Sequence, residues 1–563
     1  MLLNRGITSP EQAIAFLTPS LAQLHSPWLM AGMTAAAERL CAAVANKEKI
    51  LIYGDYDADG TTAVIVLKTA IEMCGGLADF HVPHRIREGY GMRDEVIERA
   101  AADGVRLIIS VDTGIRAFAA ADAAQRLALD LIITDHHLPE ADSADAARLP
   151  RAIAVLNPNQ PGCQYPCKAL CGAAVAFKLA QALLEKCGRA EPALLRSFLK
   201  VVAVATIADA VPLIGENRSI AAIGLDGLRD PRNPGLRALL ESTGLDLSRR
   251  LSAGDVAFRI APRLNAAGRM EIARDVVELF SVRDAARARE LAAHLNQLNA
   301  DRQSEEQRIV AEIEQQMRDV PVGDRYSLVL AGDGWHRGVI GIAATRVVER
   351  YRRPALVIAR DESGTGHGSG RSLPALHLLE ALEDCRQLFT RFGGHAHAVG
   401  FSLPSERIPQ LVESLECFCR GRLTAEDFEP TLQLDAELSL AEFTPRLYQE
   451  ICRLEPFGLG NPEPRFALAE TRLLAPVRVL KEKHLKLKLG AAQTNRRFLA
   501  GFDALGWRLA AQFPMLAQGD VVAAVVSLGE DRHDEYSCLQ LTLHDLRVIE
   551  TATTAPEQSA AHA

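Results

Sequence analysis

Short apolar runs alternate with polar or helix-patterned segments through the first third of the chain. The runs at 50–53, 80–82, 107–111, 131–134 and 153–156 are of strand length and rich in β-branched residues. Each is followed by polar or helical residues, which predicts a mostly parallel sheet with helices on both faces. Residues 1–48 pattern as helix, with Ser9-Pro10-Glu11 as a capping signal and Leu40 and Val44 on an apolar face. Further helices are expected over 172–208, and 215–280 is mixed and punctuated by Gly and Pro. From Asp284 to Val320 a long polar helix is expected, suited by length and charge to connect domains. A second α/β unit starts near Tyr326 with SLVLAG, GVIGIAATRVVERY and PALVIAR, followed by GTGHGSGRS, read as a Gly-rich loop. Strand-length runs at 432–434, 477–489, 498–502, 521–528 and 538–548 predict a small all-β barrel or sandwich. The Ala/Thr/Ser-rich residues 551–563 are expected to be disordered.

At 563 residues the chain exceeds what one core can organise, so several domains are expected. The expected divisions are 1–214, 215–320, 321–425, 426–550 and the tail. A formal net charge of −8 gives no global basic footprint, so any nucleic-acid contact has to be local. The 11 cysteines are scattered and many lie in apolar runs, which suits buried thiols in a reducing compartment. Cys163, Cys167 and Cys171 have no matching second cluster and are read as core or loop thiols. No apolar stretch is long enough to span a bilayer, and MLLNRGITSP has no apolar leader. A cytoplasmic protein without a membrane partner is the expectation.

The chemistry concentrates where the apolar runs end. Residues 50–60 place Asp55, Asp57 and Asp59 within five positions and close on Gly60. Carboxylates so close repel one another unless divalent cations sit among them. Taken alone, this is also what a polar turn with a helix cap looks like. Later apolar segments end in Asp112, in Asp135-His136-His137 and in Asp209. Four such ends could converge on one rim of a sheet, where open α/β folds take their ligands. Carboxylates mixed with imidazole suit manganese or a similar ion, and two such ions can clamp a phosphoryl displacement.

The ordered motifs D-x-D-G, V-D-x-G, D-H-H and A-D resemble those of the DHH phosphoesterases. YGDYDADGTT, HRIREGYGM, SVDTGI, TDHH, ATIADAVPL, APRLNAAGRM, FGGHAHAVGFSL and EPFGLGNPEPRF extend the likeness to the family's single-strand-specific exonucleases. The resemblance spans roughly residues 2–548. It implies an α/β fold: a mostly parallel DHH catalytic domain, a long helix, a smaller DHHA1-type domain and an all-β OB-fold. It also implies 5′-to-3′ hydrolysis of single-stranded DNA to mononucleotides in recombination and repair, with two Mn2+ or Mg2+ ions. Carried over by position, Asp57 is expected on one ion and Asp59 on the other. Asp112 should bridge them, with His136 and Asp209 completing the second site. His137 should face the scissile phosphate, and Asp135 should hold an imidazole. Many relatives place a histidine just before the D-x-D pair; here Tyr53 and Gly54 stand there, which leaves the role of Asp55 open. The chain also starts close to LLNRGI, so residues usual before that motif are expected to be missing or dispensable. The resemblance suggests a monomer, with a helicase or a single-strand-binding protein as partner classes.

Substrate contacts are expected from several places. Arg85, and Arg263, Asn265 and Arg269 in APRLNAAGRM, offer donors for phosphate. Ser369 and Arg371, and Gly394 and His395, lie in Gly-rich stretches that let a backbone approach closely. Lys486 and Lys488 alternate with Leu485, Leu487 and Leu489, which puts the lysines on one face of a strand. Aromatics are 5% of the chain, so stacking platforms are expected to be few and electrostatics to carry more of the affinity. The expected path takes a single strand, 5′ end first, between the two α/β domains, with the barrel guiding it. A DHH-type hydrolase of short oligonucleotides or cyclic dinucleotides would lack residues 430–550 and the long connector. A non-catalytic DNA-binding relative would have lost metal ligands, and every matched position here is filled.

Overall fold

The computed structural model describes residues 1–89, 91–143, 146–492, 501–531 and 539–551. It divides into two compact units: Ser20–Val211 with Gly215–Thr431, and Met1–Pro19 with Pro212–Ile214 and Leu432–Ala563.

In the larger unit, β1 (Lys49–Tyr53), β2 (Leu77–His81), β3 (Val105–Val111), β4 (Asp130–Thr134) and β5 (Ala154–Leu156) form a parallel sheet. The order is β2-β1-β3-β4-β5. β1 buries all but Lys49 and β3 all but Arg106, as strands covered on both faces must. Strand order reverses between β1 and β3, so their carboxyl ends flank the switch point at which such sheets take ligands. Around the sheet lie α1 (Met33–Ala45), α2 (Ala58–Met73), α3 (Gly172–Lys186) and α4 (Pro192–Ala208), with α2 packed on α3 and α4.

Helix α5 (Ala261–Met270) and the long α6 (Ala285–Gln316) follow. Asp284 caps α6, its carboxylate accepting the Arg287 N–H at 2.9 Å. Helix α6 buries Leu291, Leu295 and Leu298 in its first half. Ile309 and Ile313 then enter a different core, with Leu328, Leu330 and Val357. Polar Asn299 and Arg302 lie between and bond each other at 2.8 Å.

The second sheet holds β6 (Leu328–Asp333), β7 (Ala355–Arg360), β8 (Thr365–Arg371), β9 (Arg391–Gly394) and β10 (Ala398–Pro404), with α7 (Ile340–Tyr351) after β6. Its order is β9-β10-β8-β7-β6. Here the structure corrects the sequence reading, because GTGHGSGRS is not a loop but the central strand β8. Gly366, Gly368 and Gly370 alternate onto the buried face. A Cβ on Gly368 would come within 2.0 Å of the Phe401 ring, and one on Gly370 within 2.5 Å of Leu356. His367, Ser369 and Arg371 therefore share the opposite face. The stretch containing Gly393 and Gly394 is likewise an edge strand, β9, paired with β10.

The smaller unit is a barrel of β11 (Ala436–Glu437), β12 (Phe466–Leu473), β13 (Arg478–Leu480), β14 (His484–Ala491), β15 (Phe502–Gly506), β16 (Val521–Glu530) and β17 (Leu539–Glu550). Pairing of β12 with β14 closes it. Residues 432–434 form no strand, and β11 begins at Ala436 instead. The run 477–489 is two strands, because Lys481 and Glu482 turn the chain with φ of 48° and 57°. Leu485, Leu487 and Leu489 enter the barrel core, as alternation requires. The start of the expected 498–502 strand, Cys538 at the start of the expected 538–548 strand, and the tail after Thr551 lie outside the described residues. The chain's first residues also belong to this unit. Arg5 bonds Asp435 Oδ1 at 2.8 Å, Asn461 Oδ1 at 2.8 Å and the Pro462 carbonyl at 2.7 Å.

Candidate metal centre and substrate face

The acid loop is shaped by its close neighbours. After β1, Gly54 and Gly60 let the chain fold on itself: a Cβ on Gly54 would lie 2.4 Å from Val64, and one on Gly60 2.7 Å from the Asp55 backbone. Asp57 caps α2, one oxygen accepting the Asp59 and Gly60 N–H groups at 2.9 Å each. Asn265 of α5 reaches the same helix start, its Oδ1 accepting the Ala58 N–H at 2.8 Å. Asp59 points to the start of α3 and accepts N–H donors from Gly172 at 2.6 Å and Ala173 at 2.8 Å.

Asp112 follows β3 with φ of 59°, a left-handed residue held by its N–H to the Thr134 carbonyl at 2.9 Å. Gly172 leaves room for it, since a Cβ there would sit 2.4 Å from Asp112 Oδ1. His136 Nε2 stands 3.2 Å from Asp112, 3.8 Å from Asp209 and 3.9 Å from Asp59. Asn159 donates to the His136 carbonyl and Asn157 to the His137 carbonyl, both at 2.8 Å. Sequence reasoning missed these supports and Gly172; the NPNQ turn after β5 was the available signal.

Potential ligand atoms gather in three overlapping groups: Asp55, Asp57 and Asp112; Asp59, His136 and Asp209; and Asp112, His136 and His137. Asp112 belongs to two of them. Burial pushes Asp112 and Asp55 well above the usual carboxylate range, and neighbouring carboxylates add to the effect. Burial, with Asp59 and Asp57, raises Asp209 to about 9. One oxygen each of Asp55 and Asp112 is buried and, among the described residues, makes no hydrogen bond. Orphaned oxygens among mutually repelling carboxylates and an imidazole fit hard or borderline divalent cations.

Asp135 does different work. Its carboxylate accepts the N–H groups of Ile115, His136 and His137, and it meets His137 Nδ1 at 2.7 Å. Burial would lower His137, but the bond to Asp135 outweighs it and raises the imidazole to about 9. The bond from Asp135 to Nδ1 fixes the orientation of the His137 ring and favours its charged form. His395 of the second sheet stacks on it, with ring centroids 6.4 Å apart and an interplanar angle of 14°.

Three arginines crowd beside the acid loop. Arg85 lies over the Tyr56 ring, 4.8 Å from its centroid. Arg269 donates to the Gly338 carbonyl at 3.1 Å, and burial and Arg85 push it down to about 9. Arg371 lies against Gly341 and bonds Ser369 Oγ at 3.2 Å; burial and Arg85 lower it as well. Among the described residues none of the three has an ion-pair partner, and guanidiniums gathered in this way fit an anion. Close backbone packing holds them: a Cβ on Gly268 would strike the Tyr56 carbonyl at 2.1 Å, and one on Gly338 the Arg269 carbonyl at 2.3 Å.

Two clefts, of about 480 and 190 Å³, run from Arg85 over the outward face of β8 and β10, past Ser369, Gly400 and Ser402. Nothing stands over Gly393 or Gly400, so a ligand backbone can lie directly on this face. Gly394, at φ of 145°, turns the strand toward His395. A larger cavity of about 990 Å³, lined by Trp335 and Arg308, contains none of the candidate metal ligands. Arg263 donates to Asn296 Oδ1 of α6 at 3.0 Å and to the Arg259 carbonyl. On the barrel, Lys488 is exposed and Lys486 pairs with Asp503 at 2.8 Å.

Comparison with known proteins is consistent with this geometry. Residues 49–206 match the DHH family, N-terminal domain; 324–421 match the DHHA1 domain; and 434–545 match the RecJ OB domain. The single-stranded-DNA-specific exonuclease RecJ of Bacillus subtilis is 37% identical over 98% of this chain and 68% of its own. That of Escherichia coli is 36% identical over 86% of this chain and 85% of its own. The crystal structure of Thermus thermophilus RecJ in complex with Mn2+ superposes with a TM-score of 0.81 at 30% identity, covering 98% of this chain and 75% of that one.

Proposed function

This chain belongs to the RecJ single-stranded-DNA-specific exonucleases of the DHH family, and from that premise we propose that it removes 5′-mononucleotides from the 5′ end of single-stranded DNA. The observation carrying the reading is one juxtaposition. Buried carboxylates with oxygens that make no hydrogen bond lie near three arginines that have no ion-pair partner among the described residues, and one of these, Arg85, lines a cleft floored by an open β-sheet face.

In this reading Asp55, Asp57 and Asp112 would hold one divalent ion, and Asp59, His136 and Asp209 the other, with Asp112 shared. When bound, such a pair supplies Lewis acidity and a nucleophilic water at neutral pH. The remaining work is done by the chain itself. Arg85, Arg269 and Arg371 hold phosphate oxygens beside the carboxylates, and Ser369 adds a hydroxyl donor from the face of β8. His137 presents its Nε2 proton to an oxygen of the scissile phosphate while Asp135 keeps the imidazole charged and oriented. His395, stacked on His137, positions the backbone on the side of the second sheet. Gly394 lets the strand pass close, and Asn265 keeps α2 and the acid loop in register. Arg263, bonded to Asn296, ties α5 to α6.

The working divisions follow the functions: residues 20–211 catalytic, 215–320 connecting, 321–425 substrate-binding, and 432–550, with residues 1–19 packed into the same unit, guiding the strand through Lys486 and Lys488. Recombination and repair, a cytoplasmic location, a monomeric state and a helicase or single-strand-binding partner complete the proposal. Among the described residues no helix is long and apolar enough to cross a membrane.

The test is digestion of strands labelled at the 5′ or the 3′ end, with manganese, with magnesium and with chelator. Release of labelled mononucleotide first from the 5′ end, abolished by chelator, is expected. Release from the 3′ end, or full activity in chelator, overturns the proposal.

A further inference from the structure

We propose that Trp507 is a stacking platform for an unpaired nucleobase on the outer face of the barrel, an assignment that rests on single-stranded DNA being the substrate. The alternation of β15 turns Ala504 and Gly506 into the barrel and Asp503 and Leu505 outward, and Trp507 follows in the turn that leaves the strand. The neighbouring β14 turns His484, Lys486 and Lys488 outward for the same reason. The pairing Leu485↔Gly506 brings His484 alongside Trp507. Their ring centroids are 5.0 Å apart at 74°, an edge-to-face contact. The Arg508 N–H donates to His484 Nδ1 at 3.0 Å, which locks the imidazole against the indole edge.

Trp507 is nonetheless 58% exposed. A large apolar ring held in place yet left in water is a poor contributor to the fold and a good surface for a flat ligand. Its surroundings select which ligand. Lys481, Lys483 and Arg508 are exposed at the same end of the strands, and Arg478 lies opposite Lys486. Asp503 is paired with Lys486, which leaves Glu482, between Lys481 and Lys483, to oppose the cations among the described residues of this patch. Cations around an exposed indole match a polyanion with aromatic bases: phosphates take the charges and one base takes the ring. The lysine face read from the sequence thus has the aromatic partner that a 5% aromatic content made unexpected.

The experiment uses the full chain. Affinity for a strand of about 40 nucleotides is measured in chelator, where cleavage is off, for wild type, Trp507→Ala and Trp507→Phe. The same strand is also tested with a run of abasic residues. Hydrolysis of a strand of about 4 nucleotides is measured in manganese, because a barrel groove alone takes about 4–16 nucleotides and a strand held at the active site leaves none for it. Trp507→Ala is expected to weaken binding of the long strand by roughly 5- to 150-fold, the range of one base stack. The salt dependence should not change, since no charge is removed. Trp507→Phe should recover most of the loss, wild type should lose affinity on abasic DNA, and the short strand should be cut normally. Unchanged affinity in Trp507→Ala overturns the proposal and leaves the ring to a protein partner. A loss just as large on abasic DNA also overturns it, as a structural effect. Failure of wild type to cut the short strand would instead count against the exonuclease reading.

Discussion

Gly172→Ala separates the metal centre from the fold. Gly172 opens α3, and a Cβ there would lie 2.4, 2.5 and 2.6 Å from Oδ1, Cβ and Cγ of Asp112. Ordinary contact begins near 3.4 Å, so relief demands a shift of about 1 Å. A flexible side chain could swing away, but the atoms here belong to a buried carboxylate at φ of 59° whose N–H is tied to β4. The same N-terminal turn of α3 donates to Asp59, so a shift of either partner disturbs both acids. A 1 Å misplacement in a catalytic constellation costs on the order of 10²-fold. Stability should respond differently. Ala is the better helix former by about 1 kcal/mol, against an overpacking cost of about 1–3 kcal/mol, so the net destabilisation is at most about 2 kcal/mol. Expected, then, is a roughly 100-fold fall in kcat with weakened manganese binding and a thermal transition displaced by only a few degrees. Steady-state hydrolysis, metal titration and a melt on the same preparation check it. Activity within about threefold of wild type at unchanged manganese affinity would refute the argument that Asp112 is held against Gly172 for a metal-dependent purpose.

Asp112→Ala removes the carboxylate common to two ligand groups, so the rate should fall below about a tenth and bound manganese should drop, read by metal analysis of the purified variant. Arg371→Ala should raise the Kd for single strands with metal content unchanged, and reduce the salt slope by about one unit; an unchanged slope would remove Arg371 from the phosphate clamp. Arg5→Ala should destabilise the barrel unit by about 3 kcal/mol, because it strands the Asp435 carboxylate, only 11% exposed; a urea series on the full chain reads this as an earlier barrel transition. Burial pushes His544 from its ordinary 6.5 down to about 4, so the folded barrel keeps it neutral while the unfolded chain takes up a proton. Barrel stability should therefore fall as pH drops from 6.5 toward 4, and His544→Gln should flatten that dependence in urea melts across the window.

What the sequence determined by itself is local and periodic. Continuous apolar runs such as Leu107–Ile108–Ile109 can only be strands covered on both faces, and period-two alternation at Leu485, Leu487 and Leu489 could bury only that side. The acids were legible because chemistry that needs clustered carboxylates leaves them at strand ends, and order along the chain preserves that signature. Periodicity misled where side chains were absent. The glycines of β8 carry no hydrophobic signal, so a central strand read as a loop until Phe401, Leu356 and Val399 were seen to fill the space of the missing Cβ atoms. The separation of duties among like residues was also invisible. Asp135 and Asp209 are the same side chain after similar runs, yet three backbone N–H groups and an imidazole hold the first in its charged form, while burial among carboxylates raises the second. Proximity across the chain was likewise decided only by the tertiary fold. Gly172 against Asp112, His395 on His137, Arg5 on Asp435 and His484 against Trp507 each join segments whose spacing in sequence carries no information about their meeting. Local pattern follows from the backbone's own periods, whereas such encounters depend on how whole elements pack, which is a property of the closed core and not of any stretch within it.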